Sequence, residues 1–249
     1  MSNACLIIIG NEVLSGRTQD LNLAFLGARL NEIGVRLAEA RVIADDTEII
    51  ISTLNECRAK YDYVFTTGGI GPTHDDITSS AVAKAFGLPL IRDPEALAML
   101  RQHYANPEDL NEQRMKMSEV PKGAILVDNP ISKAPGYQIG NVFVLAGVPR
   151  IMQAMYEALK ERLIHGEPMK SRSIVAFIGE GVLAKGLGEV QDAHSVIEIG
   201  SYPFIRDGKL GTALVLRGVD QKALNEATEA VTDLVSGFDV EHFEETSAG

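Results

Sequence analysis

The sequence predicts an α/β fold in which a three-layer, mostly parallel sheet is flanked by helices, followed by a small C-terminal α+β domain. Two observations lead to this prediction. Between residues 5 and 87, apolar strand-like runs alternate with helical patterns across short connections. That alternation is typical of a parallel sheet covered by helices on both faces. Further along, Gly140-Asn141 separates two short apolar runs, which indicates a β-hairpin.

The first strand and the first helix follow each other closely. Residues 5–9 are apolar throughout and end at Gly10, which suits a buried strand. Asp20 is a good N-cap for a helix over residues 21–33, where leucine and isoleucine recur at helical spacing. Gly34 ends this helix.

Two further strand–helix pairs complete the parallel part of the sheet. A strand at 35–43 leads into a helix over 47–60, and a strand at 63–66 leads through a glycine-rich loop into a helix over 79–86. Right-handed crossovers bring the C-terminal ends of parallel strands to one edge. In open α/β sheets ligands bind at that edge, so we expect the site there.

The rest of the first domain is less regular. Its patterns predict, in order, helices over 94–104 and 110–117, a strand over 124–127, a hairpin of 137–139 with 142–145, and a helix from Pro149 to residue 164.

Two domains are predicted, residues 1–166 and residues 167–249, with a linker at 166–171. The second domain is expected to contain a strand at 172–178, a helix at 184–194, strands at 196–200 and 211–217, and a helix at 220–236. From Asp239 the tail is acidic and ends in small residues, so we expect it to be frayed.

Composition narrows the classes of partner. The net charge of −11 repels nucleic acid and anionic membranes, so neither is expected to bind. Cys5 and Cys57 stand in apolar or helical surroundings, as free buried thiols of a reducing cytosol do. The apolar run at 6–9 is too short for a signal peptide, and no segment approaches a membrane span. A cytoplasmic protein is therefore expected.

Residues 66–78 are the most informative segment of the chain. Gly68, Gly69 and Gly71 follow an apolar strand and precede a helix. The backbone can therefore approach a ligand closely, and the helix start can offer it unpaired N–H groups, an arrangement that attracts phosphate. The alternative is a tight turn whose aspartate and threonine residues only cap the helix.

This loop differs from two familiar phosphate-binding loops. A P-loop needs Lys followed by Ser or Thr after its last glycine, where this chain has Pro72-Thr73. The dinucleotide fingerprint needs a third glycine, where this chain has His74, and the loop follows a late strand and not the first.

Adjacent carboxylates change what the loop can bind. Asp75 and Asp76 would repel a phosphate unless a cation lay between them, so the segment predicts a site for a metal-complexed phosphorylated ligand. Glu12 and Asp45 also follow strands and are expected at the same sheet edge. Helix capping is an alternative for Asp45, and a bond to a neighbouring loop's backbone is one for Glu12. Mg²⁺, Mn²⁺ or Co²⁺ would suit carboxylate and phosphate oxygens.

Several motifs together resemble one known family, the molybdopterin-binding-type domains. They are residues 10–16 with 20–22, the loop at 67–78, Ala134-Pro135-Gly136, and residues 146–149. The motifs and their order along the chain most resemble those of the CinA-like branch (competence/damage-inducible protein A). The loop is also similar to that of the domain fused to eukaryotic FAD synthetases. The second domain, with residues 199–203, resembles the small domain of CinA-like proteins, and their C-terminal amidohydrolase domain is not expected here.

The resemblance implies two possible activities. One is binding and transfer of molybdopterin during cofactor biosynthesis; the other is metal-dependent cleavage of the pyrophosphate in ADP-ribose or FAD. Both use a divalent ion to neutralise phosphate charge, loop N–H groups to hold oxygens, and an aspartate to orient metal or water. A non-catalytic nucleotide-sensing module is a third hypothesis. Relatives of this fold form dimers or trimers, so a homodimer or other homo-oligomer is expected.

The candidate site residues fall into three groups. The catalytic candidates are Asp76 and Asp45. The metal-binding candidates are Asp75, Asp76 and Glu12. The ligand-binding candidates are Gly10, Glu12, Thr67, Gly68, Gly69, Gly71, Pro72, Thr73, His74, Pro135, Gly136, Gly147 and Pro149. For His74 phosphate contact is favoured, with general base or solvent-facing turn residue as alternatives.

Three other features each allow more than one role. Lys133 could pair with a phosphate or be solvated. Arg150 stands where CinA-like proteins commonly carry an acidic residue, which weakens any transfer of substrate specificity. Residues 208–211 fit the G-x-x-G loop of RNA-binding KH domains, but they lie between strand-like runs, so a hairpin turn is expected instead.

Overall fold

A computed structural model describes residues 2–104 and 106–245 of the chain. The chain divides into two compact units, Met1–Gly166 (unit 1) and Glu167–Gly249 (unit 2). Within the described residues, no helix is both long enough and apolar enough to cross a membrane.

Unit 1 alternates strands and helices along most of its length. Its elements are β1 (Ser2–Ile9), α1 (Asn11–Leu14), α2 (Asn22–Glu32), β2 (Val35–Ile43), α3 (Thr47–Lys60), β3 (Tyr63–Thr67), α4 (Thr78–Ala85), β4 (Leu90–Arg92), α5 (Pro94–His103), α6 (Glu112–Met115), β5 (Glu119–Pro121), β6 (Ile125–Val127), β7 (Gly136–Ile139), β8 (Val142–Leu145) and α7 (Pro149–Leu159). Six of the strands form one sheet in the order β2-β1-β3-β8-β7-β6.

The sheet is parallel across β2, β1, β3 and β8, and antiparallel from β8 to β7 and β6. Successive side chains of β1 point to opposite faces, because a strand has a two-residue period. Leu6 and Ile8 therefore pack in one core with α2 and α7. Cys5, Ile7 and Ile9 pack in the other with α3 and α4. The predicted three-layer α/β fold is confirmed.

The segment between α5 and β5 departs from the sequence prediction. The helix expected over 110–117 is only the one-turn α6 followed by a short 3₁₀ turn. A separate two-stranded sheet, β4 with β5, was not predicted, because three residues per strand are too few to show a two-residue period.

Unit 2 is an α+β unit with helices packed on an antiparallel sheet. Its elements are β9 (Lys170–Ala176), α8 (Glu180–Ala193), β10 (Glu198–Arg206), β11 (Lys209–Gly218), α9 (Gln221–Ser236) and β12 (His242–Glu245), and the strand order is β10-β11-β9-β12. Asp207 and Gly208 both have positive φ, 52° and 76°, between β10 and β11. The predicted hairpin turn is thus confirmed at Asp207-Gly208, and residues 209–211 belong to β11.

The acidic tail differs from the sequence prediction. Residues 242–245, expected to be frayed, form β12 and pair antiparallel with β9. Arg172 on β9 holds Glu244 through two bonds of 2.6 and 2.5 Å. The charges that suggested fraying therefore fix the strand at the sheet edge. Residues 246–249 of the tail lie outside the described residues.

The two cysteines of unit 1 are buried free thiols, as predicted. Their Sγ atoms, on β1 and α3, lie 3.5 Å apart. Burial raises the pKa of both Cys5 and Cys57, which keeps them in the protonated, less reactive form.

A charge cluster joins β2 to the end of α3. The carboxylate of Glu39 accepts hydrogen bonds from the Tyr61 hydroxyl, from Arg41 Nε at 2.6 Å and from Lys60 Nζ at 3.0 Å. These donors, the Tyr61 hydroxyl first among them, lower the pKa of Glu39 to about 2. A depressed carboxyl pKa means that protonation of Glu39 costs stability.

We expect Glu39→Gln to destabilise unit 1 in a pH-dependent way. The contribution of Glu39 is fully present above its unfolded pKa, near 4.5, and is lost as the pH falls through the folded value of about 2. The melting temperature of the variant should therefore be below that of the wild type at pH 7, with the gap narrowing from pH 4.5 downwards. Glu32→Gln, which removes an exposed bond to Arg29 within α2, is the control and should change little. A gap that stays constant with pH would contradict this account.

Candidate functional site

The carboxyl ends of three adjacent parallel strands meet at one edge of the sheet. Ile8 of β1 is level with Thr67 of β3, which is level with Leu145 of β8. The loops that follow these strands enclose a cavity of about 490 Å³, a size typical of small-molecule sites. It is lined by Glu12, Thr18, Gly68, Gly69, Ile70, Gly71, Pro72, Asp76, Met117, Asn129, Ser132, Ala134, Ala146, Gly147, Val148, Pro149, Ile151 and Met155.

Two positions of the loop after β3 admit only glycine. Gly68 has φ +103°, and a Cβ there would lie 2.1 Å from the carbonyl oxygen of Ile9. Gly69 has φ +66°, and its Cβ would lie 2.2 Å from Thr78 Oγ1. Thr78 in turn fixes the loop: its hydroxyl donates to Gly68 O at 3.0 Å, and its N–H donates to Gly69 O at 3.0 Å. These contacts therefore hold the backbone of the loop close to the cavity.

The same loop offers unpaired donors. Within the described part of the chain, the N–H groups of Gly69, Ile70 and Gly71 take part in none of the hydrogen bonds. Helix α7 adds a second favourable feature, because its N-cap residue Val148 gives no side-chain cap and lines the cavity together with Pro149. Successive free N–H groups and a helix N-terminus both attract anions.

Two carboxylates line the cavity. Asp76 Oδ2 accepts from the N–H of Thr73 at 2.8 Å, and it shares with Asp75 the single proton of the Thr73 hydroxyl, whose oxygen lies 2.6 Å away. Both bonds use Oδ2, so Oδ1 is left for a ligand. Glu12 folds back over the preceding loop, since a Cβ on Gly10 would lie 2.6 Å from each of its carboxylate oxygens. Asp76 and Glu12 thus give the cavity an acidic component.

The other acidic candidates lie elsewhere. Asp45 accepts from the N–H of Asn11 at 2.8 Å, which ties the loop after β2 to the start of α1. Asp46 caps α3 through the N–H groups of its first turn. Asp75 is 62 % exposed, and its bond from the Thr73 hydroxyl lowers its pKa. Neither Asp45 nor Asp75 is among the residues that line the cavity.

The arrangement of the carboxylates determines how a divalent metal could be held. The described residues contain no group of three or more His, Cys, Asp or Glu side chains arranged to hold a metal ion. Mg²⁺, however, is commonly held by one or two carboxylates together with substrate phosphates. Glu12 and Asp76 fit a metal of that kind, one that arrives with a phosphorylated ligand.

The structure brings some predicted ligand-binding residues to the cavity and leaves others out. Those that line it are Glu12, Gly68, Gly69, Gly71, Pro72, Gly147 and Pro149. Those outside its lining are Gly10, Thr67, Thr73, His74, Pro135 and Gly136. Of these, His74 is 98 % exposed, and Gly136 is packed against Val144 O, from which a Cβ would be only 2.5 Å distant.

Sequence reasoning missed the apolar wall of the cavity and polar residues of its lining such as Asn129. Ile70, Ile151 and Met155 supply apolar surface, and Met117 comes from the irregular segment before β5. Ile70 and Ile151 lie within or beside the motifs, so their neighbours were a usable signal. No local pattern marks Met117, because its position depends on how that segment packs.

Asn129 organises the loop before β7. Its side-chain nitrogen donates to Ser132 Oγ at 2.6 Å and to Ala134 O at 2.8 Å, while its side-chain oxygen accepts from the N–H groups of Ile131 and Ser132. Asn129 as a whole is 1 % exposed. Lys133 in this loop has φ 57°, a conformation that the surrounding bonds hold in place.

We expect Asn129→Ala to lower the free energy of unfolding of unit 1 by about 2 kcal/mol, because buried backbone groups lose their partners. Urea unfolding is the measurement. Asn129→Asp keeps the acceptor but loses both donor bonds, to Ser132 Oγ and Ala134 O, and buries a carboxylate against the latter, so at pH 7 it should be no more stable than the alanine variant. Equal stability of all three proteins would show that the bonds of Asn129 are not needed.

Comparisons with known proteins agree with this architecture. Residues 5–165 match the family described as "Probable molybdopterin binding domain", and residues 168–243 match "FAD synthase, middle domain". The second match refines the interpretation of unit 2, whose sequence had resembled the small domain of CinA-like proteins.

Full-length relatives and a solved structure add detail. A protein from Archaeoglobus fulgidus is 32% identical over 93% of this chain and 97% of its own length. A CinA-like protein from Salinibacter ruber is 36% identical over 76% of this chain, but only 48% of its own length is covered. A crystal structure of the protein CinA, of unknown function, from Thermoplasma acidophilum is 37% identical with a TM-score of 0.61, over 65% of this chain and 97% of that one. The chain therefore belongs to the molybdopterin-binding-domain family, in its CinA-like branch.

Proposed function

We propose that unit 1 binds a phosphorylated ligand through its glycine loop and hydrolyses the pyrophosphate of a nucleotide diphosphate of the ADP-ribose or FAD type. One observation carries this proposal. Three successive N–H groups, of Gly69, Ile70 and Gly71, have no hydrogen-bond partner among the described residues, and they adjoin a cavity that Glu12 and Asp76 also line. Carboxylates beside an anion-attracting loop suit a phosphate that arrives with a cation.

The residues divide the work according to their chemistry. The free N–H groups of the loop donate to phosphate oxygens, and the N-terminus of α7 adds positive potential. The apolar wall, which includes Ile151 and Met155, excludes water and packs against an uncharged part of the ligand. Asp76 keeps Oδ1 free because Thr73 occupies Oδ2. Glu12 is the supporting carboxylate.

A divalent cation held by Asp76 and the ligand's phosphates would neutralise charge and polarise phosphorus. Hydrolysis adds one water across the P–O–P bond. ADP-ribose then yields AMP and ribose 5-phosphate, and FAD yields AMP and FMN. In this proposal Asp76 orients the attacking water, and a released proton passes to solvent or to Glu12.

The test is to incubate metal-free protein with ADP-ribose or FAD and to add Mg²⁺, Mn²⁺ or Co²⁺ in separate reactions. Chromatography then measures AMP. Metal-dependent AMP release supports the proposal. If none is released but pterin raises the melting temperature, molybdopterin binding becomes the better interpretation. If a nucleotide raises it without turnover, the site is a sensor.

The proposal includes a cellular setting. We place the protein in the cytoplasm and propose that it forms a homodimer or other homo-oligomer. Light scattering coupled to size-exclusion chromatography tests the proposed homo-oligomer, because it gives the mass of the assembly in solution.

A further inference from the structure

Lys116 connects two distant parts of unit 1. It begins the short 3₁₀ turn Lys116–Ser118 before β5, and its Nζ donates to Thr73 O at 2.8 Å, across 43 positions of the chain. Within the part of the chain that the structure describes, this is the only hydrogen bond or ion pair between residues 72–76 and any other residue. The segment that contains Asp76 is therefore tied to the rest of unit 1 by a single lysine.

The bond from Lys116 reaches the residue that fixes the carboxylate of Asp76. Residues 73–76 form a tight turn, here named the acidic turn, in which the N–H of Asp76 donates to Thr73 O at 3.4 Å. In return, the N–H of Thr73 donates to Asp76 Oδ2 at 2.8 Å. Residues 73–75 are exposed, so burial contributes little to the position of the turn. A donor from outside the turn is what can hold it in place.

Lys116 does not line the cavity that the glycine loop encloses. It lines instead a separate space of about 20 Å³, together with Gly69, Gly71 and Asp76. That volume has room for about one water molecule and none for a ligand. We therefore expect Lys116 to influence a ligand in the cavity through the loop and the acidic turn, and not by touching it.

The backbone that carries Lys116 is fixed by other bonds. Ser118 is buried; its hydroxyl donates to Met115 O at 2.6 Å, and its carbonyl oxygen accepts from Asp93 N–H at 2.9 Å. Lys116 itself is half-buried. Ordering a long lysine side chain costs rotamer entropy, which a hydrogen bond from a charged donor can offset. Lys116 thus extends from a rigid base to an exposed turn.

We propose that Lys116 is a positioning residue, which holds the acidic turn through Thr73 and so keeps Oδ1 of Asp76 available at the cavity. The inference rests on the proposed function, because it is there that Asp76 holds a metal with the phosphates of the ligand. An ammonium group suits this place in a second way. It reduces the repulsion between the carboxylates of Asp75 and Asp76 before a metal is bound.

Backbone ¹⁵N relaxation tests this anchor without catalysis. In Lys116→Met we expect the order parameters of the Thr73 and Asp76 amides to fall from about 0.85, typical of rigid backbone, towards about 0.6, with the melting temperature unchanged. Lys116→Arg can still donate to Thr73 O and should retain the wild-type values. Lys122→Met is the matched control, because Lys122 is exposed and its side chain makes no hydrogen bond or ion pair with the described residues.

Metal-dependent AMP release tests whether the anchor acts through Asp76. We expect Lys116→Met to lower the rate at saturating ADP-ribose about tenfold and to raise the Mg²⁺ concentration at half-maximal rate, since loss of a group that orients a metal ligand costs roughly 10–100-fold. Lys116→Arg should restore most of the rate. A lysine that acted by charge alone would give the opposite Mg²⁺ dependence on its removal, because a nearby cation repels the metal.

A double-mutant cycle gives the sharpest test. Residues that act as a unit have non-additive effects, so in the Asp76→Asn background Lys116→Met should change the rate less than about twofold. An equal loss of rate in both backgrounds would show that Lys116 acts independently of Asp76 and would overturn the inference. So would a lower Mg²⁺ requirement in Lys116→Met.

The outcomes keep this inference apart from the proposed function. Wild-type order parameters in the acidic turn of Lys116→Met would overturn the positioning role and leave the proposed function standing. If the wild type releases no AMP with any metal, the proposed function fails, and the relaxation data decide alone. A turn that becomes mobile in Lys116→Met but not in Lys116→Arg then still establishes the anchor, and a turn that stays rigid in both refutes it.

Discussion

Asp76→Asn is expected to reduce metal-dependent AMP release about 100-fold, the scale of losses when a group that holds or orients a metal is removed. The variant keeps its shape, and its amide oxygen can still accept from the Thr73 N–H, which Asp76 receives at 2.8 Å. What it loses is the negative charge beside the loop of free N–H groups. The loss should therefore appear in the chemistry and not in the melting temperature.

The same substitution should act in opposite directions on binding with and without metal. Without metal, Asp76 repels the phosphates, so Asp76→Asn should strengthen ADP-ribose binding several-fold. With metal, Asp76 attracts the cation, so the variant should bind more weakly. Titrations with ADP-ribose in EDTA and in Mg²⁺ measure the affinity without and with metal, and so test both predicted changes.

Asp75→Asn is the matched control for these experiments. Asp75 is the neighbouring carboxylate, but it is 62 % exposed and outside the cavity lining. Its loss should change the rate less than about fivefold, since an exposed charge is screened by solvent. If Asp75→Asn removes activity while Asp76→Asn retains it, the two aspartates have been assigned the wrong way round.

The fold was predictable where local patterns repeat. The alternation of strand and helix through β3 and α4 follows from apolar runs, caps and glycine stops, each of which is a local property. β12 could not be predicted, because Phe243 and its acidic neighbours become a strand only by pairing with β9 and by contacts with Arg172. Such pairing is a property of the sheet and not of the segment.

The site was predictable in its loop and less so in its carboxylates. Gly68 and Gly69 were identified because a close backbone approach needs glycine. Asp45 was expected at the site because it follows a strand, yet its carboxylate binds Asn11 N–H. A residue that directly follows a strand can be placed at an edge of the sheet from sequence, but the direction of its side chain cannot be predicted in this way.

Gly68→Ala is expected to destabilise unit 1 by about 4 kcal/mol, from two additive costs. A left-handed backbone costs roughly 1–2 kcal/mol for a residue with a Cβ. Gly68 has φ +103°, and its Cβ would lie 2.1 Å from Ile9 O, a backbone atom of β1. Relief of that overlap needs a shift of packed strands, for which overpacking costs of about 1–3 kcal/mol are typical. Because whole domains are stable by only about 5–15 kcal/mol, this is a large effect.

Urea unfolding followed by tyrosine emission measures the effect in the full chain. The chain has no tryptophan and six tyrosines, five of which lie in unit 1, namely Tyr61, Tyr63, Tyr104, Tyr137 and Tyr156. The signal therefore reports mainly on the unit that carries the substitution, which matters because a two-unit chain need not unfold in one step.

Gly87→Ala separates the two costs. Gly87 also has a left-handed backbone, with φ +64°, but a Cβ there meets nothing within 4 Å. It should cost only the conformational part, about 1 kcal/mol. The difference between the two variants then isolates the contact with β1, which holds the glycine loop against the strand that ends beside it. Equal destabilisation by both substitutions would mean that the loop can move away from Ile9, and the fixed approach of backbone to cavity would have to be abandoned.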